Sequence, residues 1–205
     1  MRCLAPCAEG LAGVFDGLWG ELVRGSVDRR HGFHVPVIAT SGLDGAPSAR
    51  SVVLRRVLPE RCEICCHTDA RSAKVSEIAR EPRVAWTFYD PGRKLQVRVQ
   101  AVASVEREGA RADEAWARSP LSSRRCYLAP IAPGAACAEA SPNLPEALRA
   151  RVPTAEESQG GRANFAFVVT QAVAIDWLFL ASEGHQRARF TAGAGGLWHG
   201  TWVEP

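Results

Sequence analysis

Between Leu95 and Ala101 apolar and polar residues alternate without a break, Leu95, Val97, Val99 and Ala101 against Gln96, Arg98 and Gln100. Successive side chains of a strand point to opposite faces, so this period of two predicts a sheet with one dry face and one wet or ligand-facing face. The surrounding chain has the same character. His34 to Ser41, Ala46 to Val57 and Arg61 to Thr68 are rich in Val and Ile and are separated by turn signals at Leu43-Asp44-Gly45 and Pro59. They read as three consecutive antiparallel strands. Arg83 to Tyr89 and Leu95 to Glu106 follow, and strand character returns at Asn164 to Ala174, Ile175 to Ala181, Arg187 to Thr191 and Leu197 to Val203. Gly193 to Gly196 reads as the last hairpin turn. Eight or so short strands with few helices predict a barrel.

Helical periodicity is confined to a few places. Residues 8 to 24 set Leu11, Phe15, Leu18, Leu22 and Val23 at spacings of three and four, the stripe of an amphipathic helix lying across a sheet. Asp69 is the expected N-cap of a short helix over residues 71–80, which Pro82 closes. Residues 107–162, with charge patterning near Ala110 to Arg118 and then Pro130, Pro133, Pro142, Pro145 and Pro153, read as short helices and loops inserted between barrel strands. The expected class is therefore mainly β with α, one α+β domain over residues 1–205, long enough to bury roughly 70% of its unfolded surface without a staple.

Charge and composition exclude several functions. The 25 basic and 22 acidic residues leave a formal net charge of +3, and no block of five like charges suggests a nucleic-acid tail. Lys74 and Lys94 are the only lysines. Trp86, Phe88 and Tyr89 are the one aromatic cluster on a strand, and they read as core rather than as a base-stacking platform. No apolar run approaches the roughly 18 to 20 residues of a membrane span, and Leu4-Ala5-Pro6-Cys7 lacks the apolar segment of a lipidation signal. A cytoplasmic protein that contacts neither membrane nor nucleic acid is expected. Seven cysteines at irregular spacing favour reduced thiols. The run Cys62-Glu63-Ile64-Cys65-Cys66-His67 has no second ligand pair, and on a strand Cys65 and Cys66 point to opposite faces, so buried hydrophobes are expected rather than a metal site.

There is no GxGxxG, no GxxxxGK[ST], no GxSxG elbow and no HExxH helix. What remains is a constellation: Arg50-Ser51-Val52-Val53-Leu54-Arg55 on one strand, His67-Thr68 ending the next, and Arg71-Ser72-Ala73-Lys74 at the start of the helix beyond. A helix N-terminus offers free amides and partial positive charge, and Arg50, Arg71 and Lys74 add donors, so this arrangement can bind a phosphate. Basic residues at strand ends and helix starts are otherwise simply solvated.

Ala49 to Arg55, Cys66 to Lys74, Pro82-Arg83-Val84-Ala85 and Gln96 to Val99 together resemble, in order and spacing, the FMN-binding core of the pyridoxamine 5'-phosphate oxidase superfamily. Ile175 to Leu178 with Arg187 to Phe190 resembles its carboxy-terminal strand pair, and Tyr127-Leu128-Ala129-Pro130 is similar to the Alr4036-type branch. The resemblance implies an antiparallel Greek-key split barrel with peripheral helices, non-covalent FMN, and a homodimer with flavin at the subunit interface. Residue by residue, it implies that Arg50, Arg71, Ser72 and Lys74 hold the flavin phosphate, with His67 and Thr68 near the phosphate and ribityl chain. Val52, Val53 and Leu54 would pass beneath the ring with Ser51 and Arg55, the latter in place of the family's lysine, as flanking cofactor contacts, Gln96 would bond the ring, and Trp177 or Leu178 with Arg189 would close the pocket from the partner.

The departures concern the substrate. Where the vitamin B6 enzyme grips its substrate phosphate with Tyr, Arg and Ser, this chain has Ala115, Ser119 and Ser123. The Arg-x-His over the flavin appears as His185-Gln186-Arg187, and Ala73 replaces the second Arg of the phosphate motif. The expected activity is hydride transfer from a small substrate to FMN, with Ser123, His185 and Arg187 as substrate contacts and no acid–base dyad, because the cofactor carries the chemistry. A split barrel that stores or senses flavin or haem without turnover is the alternative.

Overall fold

A computed structural model describes Cys3, Leu4 and residues 10–205. Residues 8 and 9 of the expected first helix, and Ala5 to Cys7 of the stretch weighed for lipidation, lie outside the described residues. Ten strands among the described residues build one sheet: β1 (Cys3–Leu4), β2 (Val37–Ser41), β3 (Pro47–Ser51), β4 (Leu54–Leu58), β5 (Glu63–Asp69), β6 (Arg83–Asp90), β7 (Leu95–Glu106), β8 (Phe165–Phe179), β9 (Gln186–Ala192) and β10 (Leu197–Val203). The hydrogen-bonded order is β1-β10-β9-β8-β7-β6-β2-β3, while β5 pairs with β8 on one side and β4 on the other. Every pairing is antiparallel except the two-residue contact of β1 with β10.

The expected strand from Ala46 to Val57 is two strands. The Val52 N–H makes a last bond to the Pro36 carbonyl at 3.0 Å, and the chain then leaves the ladder at Val53. β3 pairs with β2, whereas β4 pairs with β5, so the chain changes partner at Val52-Val53. That step brings the sheet round on itself through β4, β5, β8, β7, β6 and β2, with no ladder between β3 and β4. The result is an unclosed, mostly antiparallel split barrel.

The converse holds for Asn164 to Ala181, expected as two strands and found as the single β8. Its register slips against β7 between Gln100 and Ala101. On one side of that bulge β8 pairs with β5, and on the other with β9. Bulges bend a strand and deepen its twist, which is what lets one strand serve two edges.

Inward-facing residues fill the barrel, among them Ile38, Leu54, Cys66, Trp86, Phe88, Val97, Val99 and Val168, each fully buried. Trp86 Nε1 donates to Thr170 Oγ1 at 3.0 Å, and that hydroxyl donates to the Ile64 carbonyl at 2.7 Å, so the polar atoms at the centre are satisfied. Helix α1 (Leu11–Val27) adds Leu11, Phe15, Leu18, Trp19 and Leu22 to this core. Phe15 lies 5.1 Å from the Phe190 ring and 5.4 Å from Trp198, and burying such a side chain stabilises by roughly 1.5–3 kcal/mol. A Cβ on Gly25 would sit 2.8 Å from Phe33 Cβ, so the helix can approach the turn at Gly32–His34 only with glycine there.

A second core lies outside the barrel wall. Phe165, Phe167 and Val169 of β8 and Cys65 of β5 pack against Ala112, Ala115 and Trp116 of α3 (Ala110–Arg118) and against Tyr127. Cys65 and Cys66 thus face different cores, as strand alternation predicts, and burial pushes both thiols up to about 12. The rest of residues 107–162 holds α4 (Leu121–Arg124), α5 (Ala155–Gln159) and short turns, and the helix before them, α2, spans Ala73–Arg80. Tyr89 points outward while Trp86 and Phe88 are core.

Candidate phosphate cradle and ligand chamber

The N-terminus of α2 is built by residues from β5 and the turn that follows. Ser72, not Asp69, is the N-cap, and its side chain makes no capping bond. Instead Lys74 Nζ donates to Ser72 Oγ at 3.0 Å and to Thr68 Oγ1 at 2.9 Å, while the two hydroxyls lie 3.1 Å apart. An ammonium and two hydroxyls therefore converge at a helix N-terminus whose amides no side chain caps. Burial lowers the Lys74 pKa, with Arg50 a further cause. Among the described residues no carboxylate lies within ion-pair distance of Lys74. A partly buried cation with only neutral partners is suited to an anion brought from outside.

The two arginines expected beside it are already engaged. Arg50 Nη2 donates to Glu77 Oε2 at 2.7 Å and to Ser48 Oγ at 2.6 Å, and Nη1 donates to Thr40 Oγ1. Thr40 in turn donates to Glu77 at 2.6 Å. Burial alone would raise the Glu77 carboxyl, but the hydrogen bonds from Thr40 and Arg50 carry it below its ordinary value. Arg71 closes a fork on Asp69, with Nε at 3.0 Å and Nη2 at 2.7 Å, and also donates to the Ala129 carbonyl at 2.9 Å. Both arginines act as braces around the lysine. The sequence reading missed Glu77 and assigned Asp69 to capping.

Arg55 stands where β4 slips against β5, between Leu54 opposite Cys66 and Arg56 opposite Cys65. This bulge lets Leu54 and Val57 both point into the barrel and turns Arg55 outward. Its Nε is buried and has no hydrogen-bond partner. Beside it opens a chamber of about 470 Å³ lined by Arg55, His67, Ser119, Phe167, Val23 and Val27, among others. The His67 ring meets the Phe165 and Phe167 edges, and burial, followed by the charge of Arg55, pushes its pKa down to about 3, so the imidazole is neutral. Ser119 and Ala115 line the chamber, whereas Ser123 lies outside its lining.

The remaining predicted residues meet on the outer face of the sheet. The register aligns Gln96, Leu178 and Arg187 in one row and Arg98, Asp176 and Arg189 in the next. Arg187 forks onto Asp176 at 3.0 and 2.8 Å, Arg98 reaches it at 2.9 Å and Arg189 at 3.1 Å. Three cations share one carboxylate, a node the sequence analysis did not foresee because the partners come from three strands. A groove of about 620 Å³ runs past Arg98, Asp176 and Arg189. Trp177 points away, stacked on Phe179 and edge-on to Trp202. His185 is exposed before β9, without a hydrogen-bond partner among the described residues.

A split barrel with an uncapped, hydroxyl-lined helix start beside a lysine can receive an anionic ligand. Residues 17–106 match the family model described as "Pyridoxamine 5'-phosphate oxidase, FMN-binding domain". A "Pyridoxine/pyridoxamine 5'-phosphate oxidase 2" from Arabidopsis thaliana is 26% identical over 196 residues, 90% of this chain and 93% of that protein. A pyridoxamine 5'-phosphate oxidase-related, FMN-binding protein from Nostoc punctiforme superposes with a TM-score of 0.67 at 20% identity, covering 98% of each chain. PhzG from Burkholderia lata, solved with tetrahydrophenazine-1-carboxylic acid, gives a TM-score of 0.65 at 15% identity, covering 98% of this chain and 94% of that one. Residues 17–106 thus carry the match to an FMN-binding domain of pyridoxamine 5'-phosphate oxidase type, and the chain as a whole shares the split-barrel fold of these neighbours.

Proposed function

We propose that the protein is an FMN-dependent oxidoreductase that works as a homodimer on a small substrate. The observation that carries this reading is the cradle of Thr68, Ser72 and Lys74, whose donors fit a phosphate and whose ammonium has no carboxylate partner among the described residues. Bound FMN supplies a two-electron acceptor for a hydride from the substrate. Lys74 neutralises phosphate charge, while Arg50 and Arg71, held by Glu77 and Asp69, brace the walls of the cradle. The seam Ser51 to Leu54 offers backbone along the ring, and Gln96, Leu178, Arg187 and Arg189 offer contacts from the outer face.

A dimer through that face suits its composition. Val37, Val102 and Val173 are exposed on it at 37%, 43% and 39%, around a groove of about 550 Å³ lined by Val102, Val173 and Ala85 among others. Ala115 and Ser119 replace the expected phosphate-gripping side chains, which argues for a substrate other than a B6 vitamer phosphate. Of the described residues, no helix is long and apolar enough to cross a membrane. The test is the visible spectrum and native mass of the purified protein, followed by anaerobic reduction with candidate amines and NADPH. A flavin spectrum with two flavins per dimer and bleaching by a reductant supports the reading. A haem spectrum, or a flavin that no reductant reaches, removes it.

A further inference from the structure

The chamber beside β4 has a polar lining that the phosphate cradle does not explain. Arg56 and Arg118, which also line it, both bond Glu114, each at 3.2 Å. Arg55 has no ion-pair partner among the described residues, and its buried Nε donates to nothing. A buried donor without an acceptor costs about 1–3 kcal/mol, so its acceptor is to be sought in a ligand. The one hydrogen of the Ser119 hydroxyl goes to the Ala115 carbonyl at 2.8 Å. In its Nδ1–H tautomer, which suits the 3.4 Å contact between them, His67 donates to Ser119 Oγ. The neutral ring then presents Nε2 as a bare acceptor, with no protein partner among the described residues. The remaining walls are mostly apolar, with Phe167, Val23, Val57 and Val27 among them, and the one further hydroxyl, that of Ser26, donates to the Val23 carbonyl.

One unpaired guanidinium, one imidazole acceptor and apolar walls select a ligand by charge, polarity and shape together. We infer that this chamber takes a ring-bearing monoanion with its own hydrogen-bond donor, namely an aromatic carboxylate carrying an amino or hydroxyl group, as the substrate class of the flavoenzyme. The carboxylate meets Arg55, the N–H or O–H meets His67 Nε2, and the ring lies against Phe167. A phosphate ester is disfavoured because, of the three guanidiniums that line the chamber, Arg56 and Arg118 are already held by Glu114 and only Arg55 is left, among the described residues, without a carboxylate for a dianion. The inference rests on the flavoprotein reading for its catalytic meaning, but the binding chemistry is the chamber's own.

The test is calorimetric titration of the FMN-loaded protein with anthranilate, its neutral isostere anthranilamide, benzoate and pyridoxine 5'-phosphate. Anthranilate is expected to bind at least about tenfold more tightly than anthranilamide and several-fold more tightly than benzoate. Arg55→Met is expected to erase the preference for the carboxylate. Val27→Glu, at a position 76% exposed, adds repulsion at the mouth without disturbing the core and should weaken anthranilate but not anthranilamide. Equal affinity for acid and amide, or tighter binding of pyridoxine 5'-phosphate than of anthranilate, overturns the inference. Flavin absorbance in the same samples separates the two failures. A parent protein that holds no FMN sinks the flavoprotein reading, whereas flavin retained without acid preference sinks only the assignment of the chamber. Should Arg55→Met lose its flavin, Val27→Glu decides.

Discussion

Lys74→Met separates a ligand-binding cation from a structural one. In the folded chain the ammonium is partly buried, donates only to Thr68 and Ser72, and has its pKa lowered by burial first and by Arg50 second. Methionine keeps the length and apolar stem while removing the charge. A charge-assisted bond to a partly buried phosphate is worth roughly 1.5–3 kcal/mol, so the variant should lose about 2 kcal/mol of FMN affinity, about 30-fold in Kd. The flavin-free protein should respond differently. A lysine with a lowered folded pKa binds its proton less tightly in the native state than in the unfolded chain. Stability therefore rises as pH climbs toward the ordinary value of 10.5, since the unfolded chain holds the proton longer. That rise should be present in flavin-free parent protein, absent from Lys74→Met, and suppressed in the parent by bound FMN, whose phosphate favours the ammonium. Flavin-fluorescence titration gives the affinity, and thermal melts between about pH 8 and 10 give the slope. An FMN Kd within about threefold of the parent, with parallel melt profiles for the two flavin-free proteins, would refute both the cradle and the reasoning about its charge.

Three further perturbations test the surrounding structure. Glu77→Ala strands Arg50, whose side chain is 23% exposed, so the loss should fall below the 3–5 kcal/mol of a fully buried pair, at about 2–3 kcal/mol. Because the folded Glu77 pKa is depressed, its contribution is present above 4.5 and disappears as pH falls through the folded value. The parent and variant melts should therefore converge in acid, and a constant gap would contradict the assignment. Thr170→Val leaves Trp86 Nε1 without its acceptor at the barrel centre and should cost about 1–3 kcal/mol in urea unfolding with little change in m-value; no shift in midpoint would mean that the indole finds another partner. Gly25→Ala forces a methyl against Phe33 and should lower stability by roughly 1–3 kcal/mol even though alanine favours helices. A more stable variant would show that the loop yields.

How far this was legible in the sequence depends on whether local pattern or distant pairing decides each feature. The alternation from Leu95 to Ala101 and the stripe from Leu11 to Val23 are local, and both elements appear where the pattern sets them. The break at Val52-Val53 is not local: both residues suit a strand, and only the competition between β2 and β5 for the flanking segments makes the chain let go. The same holds in reverse for β8, where a bulge opposite Ala101 carries the chain from one neighbour to another without ending the strand. The site divides along this line too. Thr68, Ser72 and Lys74 lie within seven residues and one turn-to-helix transition, so their convergence follows from spacing. Arg50 and Arg71 looked equivalent to Lys74 as phosphate ligands, and Arg187 and Arg189 looked like free ligand contacts, because a sequence shows a cation but not the carboxylate that occupies it. Glu77, Asp69 and Asp176 supply those carboxylates, two of them across strand or helix packing that no spacing encodes. Once these pairs are drawn, the cations sort by what each lacks. Among the site residues, the arginines paired with acids brace the walls, while Lys74, with hydroxyls alone, and Arg55, whose buried Nε is bonded to nothing among the described residues, are placed to meet a ligand.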